Sequence, residues 1–125
     1  MKVIVNDIIP FRGFLAINLF GVLFARREAW NRTSDYRKDI CYNHESIHTE
    51  QMKETLYVGF YILYLIMWLI RLLTPPFKTA YRDISFEQEA YEHEQDLTYL
   101  ATRKPYAWLS YCFKSSRDLT KGGSR

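Results

Sequence analysis

The chain has 125 residues, 48% hydrophobic, 17% aromatic and 25% charged, with two cysteines and a net charge of +3. That length fits one domain spanning 1–125, with a modest core that needs no staples. Two isolated cysteines exclude a disulfide framework, there is no repeat or low-complexity tract, and mild basicity without a recognition module argues against nucleic-acid binding.

In chain order, Lys2 to Asn6 reads as a short strand and Pro10 to Gly13 as a turn. Phe14 to Ala25 is apolar almost throughout. Its Phe, Ile and Val content, with Gly21 in the middle, favours two strands or one bulged strand over a helix. Arg26 to Asp39 reads as a polar connection. From Asp35 to Leu73 there is no proline and one glycine, Gly59, among many strong helix formers, so one long helix is expected, closed by Pro75-Pro76. Ser34 or Asp35 suits its N-cap, and Asn43 that of a shorter version.

This helix carries His44-Glu45-Ser46-Ile47-His48, an H-E-x-x-H pattern. Residues four apart lie one turn above each other on one helix face, so His44 and His48 can hold one metal ion through two imidazole nitrogens. Glu45 stands beside that face, where it can take a proton from a metal-bound water. The competing explanation is a pair of solvated surface histidines. Met52, Thr55 and Gly59 continue the same face, and the small ones would let another segment approach.

Leu56 to Ile70 carries no charge. The run is just short of the ~20 apolar residues that cross a bilayer. Its tyrosines, Tyr57, Tyr61 and Tyr64, favour a buried or dimer-forming helix over 55–73, with a membrane-embedded one as the rival.

A third ligand has to come from elsewhere. Ser85-Phe86-Glu87-Gln88-Glu89-Ala90-Tyr91 opens a second helical pattern, with Ser85 as N-cap and Gln88 at the capping-box position. Glu87, Ala90, Tyr91 and Glu94 share one face with Leu97 and Ala101, whereas Glu89, Glu92, His93 and Asp96 share a more polar one. A carboxylate on the inward face needs a partner, and a metal is a good one. Glu87 is therefore preferred to Glu89, against the alternative of an exposed first-turn acid. Glu94 is either a partner of the ligands or a surface acid. Cys41 is a weaker, softer alternative ligand. Pro105 precedes a last apolar piece, Tyr106 to Phe113, and 114–125 reads as a frayed tail.

His44-Glu45-x-x-His48 and, 39 residues later, Glu87-x-x-Ala90-Tyr91 together resemble the gluzincin metallopeptidases, and the chain's size resembles the minigluzincins and similar short bacterial proteins. The resemblance spans roughly residues 14 to 105. It implies an α+β domain: a small hairpin or sheet, a long metal helix and a second helix bearing the third ligand. It implies one Zn2+ on His44, His48 and Glu87, Glu45 as general base, and a peptide or protein substrate held by Phe14 to Ala25 as an edge strand. Tyr91 and Tyr81 both remain open as the oxyanion donor. One departure is Tyr91, where some related families carry aspartate, so the partner orienting a ligand histidine is left open.

The rival reading is a non-enzymatic helical protein with a structural or vestigial metal site. Basic clusters at Arg26-Arg27, Arg37-Lys38, Arg103-Lys104 and the tail leave an anionic membrane surface as a partner. With no cleavable signal peptide pattern, a cytoplasmic or peripheral inner-membrane location is expected, with both cysteines free.

Overall fold

The computed structural model describes residues 1–74 and 80–112. The expected first strand is β1, Lys2–Asn6, a β-branched run that pairs in parallel with β3, Val22–Arg26. The apolar stretch after it resolves into two strands, β2, Ala16–Leu19, and β3, joined by the two-residue turn Phe20-Gly21. Both turn residues have positive φ, 53° and 89°, which gives the hairpin the twist that flanking strands favour and explains why a glycine stands there. The sheet order is β1-β3-β2, so β2 is an edge strand.

The polar connection contains a short helix, α1, Arg27–Arg32, which lacks a side-chain cap and buries no residue, so nothing in its pattern marks it. Ser34 then caps α2, Asp35–Glu54, through its Oγ and the Arg37 N–H. Asn18 on β2 fastens the sheet to α2, donating to the Glu45 carbonyl at 2.8 Å and to Thr49 Oγ1 at 3.0 Å.

The single long helix over 35–73 is corrected to two. The chain leaves α2 at Thr55 and re-enters α3, Val58–Leu72, after a 107° bend. Leu56 and Tyr57 both take positive φ, 60° and 61°, with Tyr57 at the centre of a tight turn closed by the Val58 N–H on the Leu56 carbonyl, and the Tyr57 N–H closes on the Met52 carbonyl at 2.7 Å. Neither glycine nor proline marks the break, which is why composition hid it. Packing compensates: the bend seats Phe60 against His48, Phe86 and Tyr64 in a core completed by Met52, Ile84 and Trp108. Gly59 therefore does not extend the histidine face.

After α4, Ala80–Asp83, comes α5, Ser85–His93. Ser85 is its first residue and not its cap; the N-cap position is Ile84, and Gln88 donates to the Asp83 carbonyl at 2.8 Å instead of forming a capping box. The helix stops well short of Ala101. Asn43, in mid α2, donates its amide to the carbonyls of His93, Glu94 and Asp96, so it caps the end of α5 and starts no helix of its own. A turn, α6, Tyr99–Thr102, and a 3₁₀ turn at Ala107–Tyr111 complete the described residues. Among the described residues this is an α+β fold: a three-stranded mixed sheet and six α-helices. The tail at 114–125 lies outside the described residues.

Candidate metal centre

His44 and His48 sit one turn apart on α2, both buried, with rings edge to face at 4.8 Å between centroids. Helix α5, held against α2 by Asn43, brings Glu87 opposite them. Glu87 Oε1 lies 3.2 Å from His44 Nε2 and 3.1 Å from His48 Nε2. The other ring nitrogens have separate partners: Glu94 Oε1 at 2.8 Å from His44 Nδ1 and Gln51 Oε1 at 2.7 Å from His48 Nδ1. An oxygen on each Nδ1 fixes the ring orientation and, in the neutral imidazole, places the proton there and leaves the Nε2 lone pair toward the shared point. Ligand atoms of His44, Glu45 and His48 all lie within 4.8 Å of one another, a group positioned to hold a metal ion.

Outer residues pin this arrangement. Tyr64, from α3, donates to Glu87 Oε2 at 2.7 Å, and Tyr81 lines the same cavity as Glu87 with its ring edge-on to Tyr91 at 6.3 Å. Gln51 is itself held, donating to the Phe86 carbonyl at 3.0 Å and to Glu89 Oε1 at 2.9 Å. Glu89 is fully buried, which corrects its assignment to a polar outer face. Its charge is matched by Arg103, Nε to Oε2 at 2.6 Å, whose other nitrogens grip Glu54 at the end of α2. The inward and outward faces of α5 were separable by pattern only if Arg103 was known to sit beneath it. Tyr91 packs its ring edge-on to His44 at 4.7 Å beneath the Arg82 guanidinium, and it is Glu94 that holds the His44 Nδ1.

The electrostatics follow from proximity. Burial works against charging His44, but the hydrogen bonds to Glu87 and Glu94 outweigh it and raise the pKa to about 10. His48 is likewise raised, with burial opposing and Glu87 prevailing. Burial alone would raise Glu87, yet the two imidazoles hold it well below the ordinary carboxylate range. Glu45 goes the other way: burial raises it, and the histidine charges offset only part of that. The Cys41 thiol is pushed up to about 12 by burial, so it stays protonated at neutral pH.

Two cavities meet at Glu45. One, of about 320 Å³, is walled by Ala16 to Leu19 of β2, by Glu45, His48 and Glu87, and by Phe60, Tyr61, Tyr64 and Tyr81. The other, of about 650 Å³, lies between Leu15, Tyr36, Arg37, Cys41, His44, Tyr91 and Glu94, and it too includes Glu45 and Tyr81. The outer edge of β2 therefore runs above the histidines. Because the Arg26 N–H bonds the Leu15 carbonyl, the ladder alternation places Leu15, Ile17 and Leu19 in bonded register with β3 and turns the backbone of Ala16 and Asn18 outward. Tyr61 takes part of that edge, its hydroxyl donating to the Asn18 carbonyl and accepting from the Phe20 N–H.

Gln51, Tyr64, Asn18 and Arg103 are site residues that sequence reasoning missed. Gln51 was findable, since it lies three residues past His48 on the same side of α2. Tyr64 was not, because the α2–α3 bend that delivers it carries no sequence signal. Comparison with protein-family models, with curated protein sequences and with solved structures finds no match.

Proposed function

We propose that the chain is a zinc-dependent peptidase in which His44, His48 and Glu87 hold the metal and Glu45 is the general base. The observation that carries this reading is the convergence of both Nε2 atoms and Glu87 Oε1 on one point in the wall of an open cleft beneath a sheet edge. Two imidazoles and a carboxylate are a donor set that suits zinc, and three protein ligands leave a coordination position for chemistry. Bound there, zinc would polarise a carbonyl and acidify water.

The chain's own groups supply the rest. Glu45 is half-buried, lines both cavities and has a raised pKa, which suits a carboxylate that accepts a proton and then delivers it to a leaving amine. Tyr64 restrains the second oxygen of Glu87. Of the two tyrosines left open by sequence, Tyr81 is the better oxyanion donor: it borders both cavities, whereas Tyr91 packs on His44. The outward backbone of Ala16, with the Asn18 N–H, offers an extended substrate chain a short pairing edge beside the Asn18 carbonyl that Tyr61 takes.

A second reading, a non-catalytic metal site, draws on the same cluster, because Glu87 and the histidines satisfy one another by direct hydrogen bonds. The Glu45→Gln variant separates the two. Expected is unchanged zinc content with hydrolysis of a peptide library reduced about 10²–10⁴-fold. A wild-type chain that holds zinc and cuts nothing in the library would favour the non-catalytic site.

A further inference from the structure

The two cavities that meet at Glu45 are lined differently. The smaller is walled by Met52, Phe60, Tyr61 and Tyr64 beside the metal-binding residues. The larger has Arg37 in its wall, the only lysine or arginine that lines either cavity among the described residues. The Arg37 N–H bonds Ser34 Oγ, while its guanidinium has no partner among the described residues.

We infer that Arg37 selects substrates, taking a carboxylate about three residues to the leaving-amine side of the scissile bond. The inference rests on the peptidase reading and gives it a substrate class.

The direction of the cleft is the first reason. Strand β2 runs along α2 in the same sense. Leu15, just before β2, shares the larger cavity with Arg37 and Cys41. Asn18 bonds the Glu45 carbonyl and Thr49, and Gly21, past the strand, lies against Thr49 and Tyr57. A chain pairing antiparallel with β2, the more stable ladder, therefore runs back along α2 from the Met52 end towards Arg37. Its N-terminal part crosses the smaller cavity, and the part that leaves as the amine crosses the larger one. Arg37 stands seven residues before His44, about 10 Å along the helix axis. An extended chain covers that distance in about three residues.

Charge is the second reason. Arg37 lies in the first turn of α2, where the helix dipole disfavours a cation and favours an anion. An incoming carboxylate would meet both the guanidinium and the positive end of the helix, and a guanidinium can hold a carboxylate through two parallel bonds. Asp35 shares that turn but does not line the cavity. The acids that do line it, Glu45 and Glu94, belong to its histidine end, where Glu94 is held on His44 Nδ1. They repel an anionic group beside the metal and leave Arg37 as its place.

Peptide pools in four forms test the assignment: with Asp and Glu or with Asn and Gln in their place, each with a free or an amidated C-terminus. Binding is read on the zinc-loaded full chain carrying Glu45→Gln, by mass spectrometry of the captured peptides. Expected is at least about tenfold enrichment of carboxylate-bearing peptides, lost on adding Arg37→Gln and partly kept with Arg37→Lys. Enrichment that follows the free C-terminus identifies a terminal carboxylate, and enrichment that follows Asp and Glu identifies a side chain; either supports the inference. In hydrolysis by the wild type the carboxylate should stand on the C-terminal side of the cut, and Arg37→Gln should raise KM about tenfold with kcat little changed. No capture, capture without carboxylate preference, a preference that survives Arg37→Gln, or a carboxylate selected on the N-terminal side of the cut overturns the inference. Carboxylate-dependent capture that needs Arg37, in a chain whose wild type cuts nothing, would sink the peptidase reading and keep Arg37 as a carboxylate-binding residue.

Discussion

The two histidines of α2 end on different oxygens, a carboxylate for His44 and a neutral amide for His48. Gln51 can keep its carbonyl on the imidazole only because its amide nitrogen is committed to Glu89 and Phe86. Removing either outer partner leaves the ligands in place but unoriented. Glu94→Ala and Gln51→Ala should each weaken zinc binding about 10–100-fold in competition with a chelating dye, with near-normal affinity restored by Glu94→Gln at the first site. Proton competition sets the pH dependence. In the metal-free chain the raised pKa of His44 stabilises the fold fully below 6.5, and that stability is lost as pH rises through about 10. Glu87, lowered by the same pairing, keeps its contribution above 4.5 and loses it as pH falls through its folded value. Zinc must displace these protons, so its stabilisation grows across the interval in which the histidines would otherwise hold them. The zinc-induced rise in Tm over a chelator control should be larger at about pH 9 than at about pH 6; equal increments would mean that the histidines are not the ligands.

At the scale of elements, the break between α2 and α3 decides what the site contains. It swings Phe60 against His48 and Tyr64 onto Glu87. Leu56 is 84% exposed at φ 60°, so its side chain contributes little to packing while its backbone is held in a region that costs an L-residue about 1 kcal/mol. Leu56→Gly should therefore raise stability by a few tenths to about 1 kcal/mol in urea unfolding, the opposite of what glycine does inside a continuous helix, where it costs about 1 kcal/mol. What could be read in the sequence follows this boundary. β1 was legible to the residue, the hairpin from its β-branched content and Gly21, and the histidine pair from its four-residue spacing. These depend on neighbours along the chain. The Gln51–Glu89 bond and the capping of α5 by Asn43 depend on partners 38 to 53 residues away, and the bend and the Arg103–Glu89 pair on packing between separate elements, which a local pattern cannot reveal.

Across the whole molecule, one buried charge line ties these parts together. Glu54 closes α2, Glu89 sits on α5, and Arg103 bridges both, with side chains 13%, 0% and 5% exposed. Arg103→Met would strand two buried carboxylates and should cost about 3–5 kcal/mol of stability, while Lys at the same place should recover part of it. Because Glu89 also holds Gln51, zinc affinity should fall along with stability in this variant, whereas Leu56→Gly should leave affinity unchanged. The most direct test of the centre is metal analysis by mass spectrometry on the purified full chain beside His48→Ala and Glu87→Ala. Expected is stoichiometric zinc in the wild type, with retained fold and near-total loss of zinc in both variants. A wild type without bound metal after zinc reconstitution, or variants that keep their zinc, would contradict the assignment of His44, His48 and Glu87.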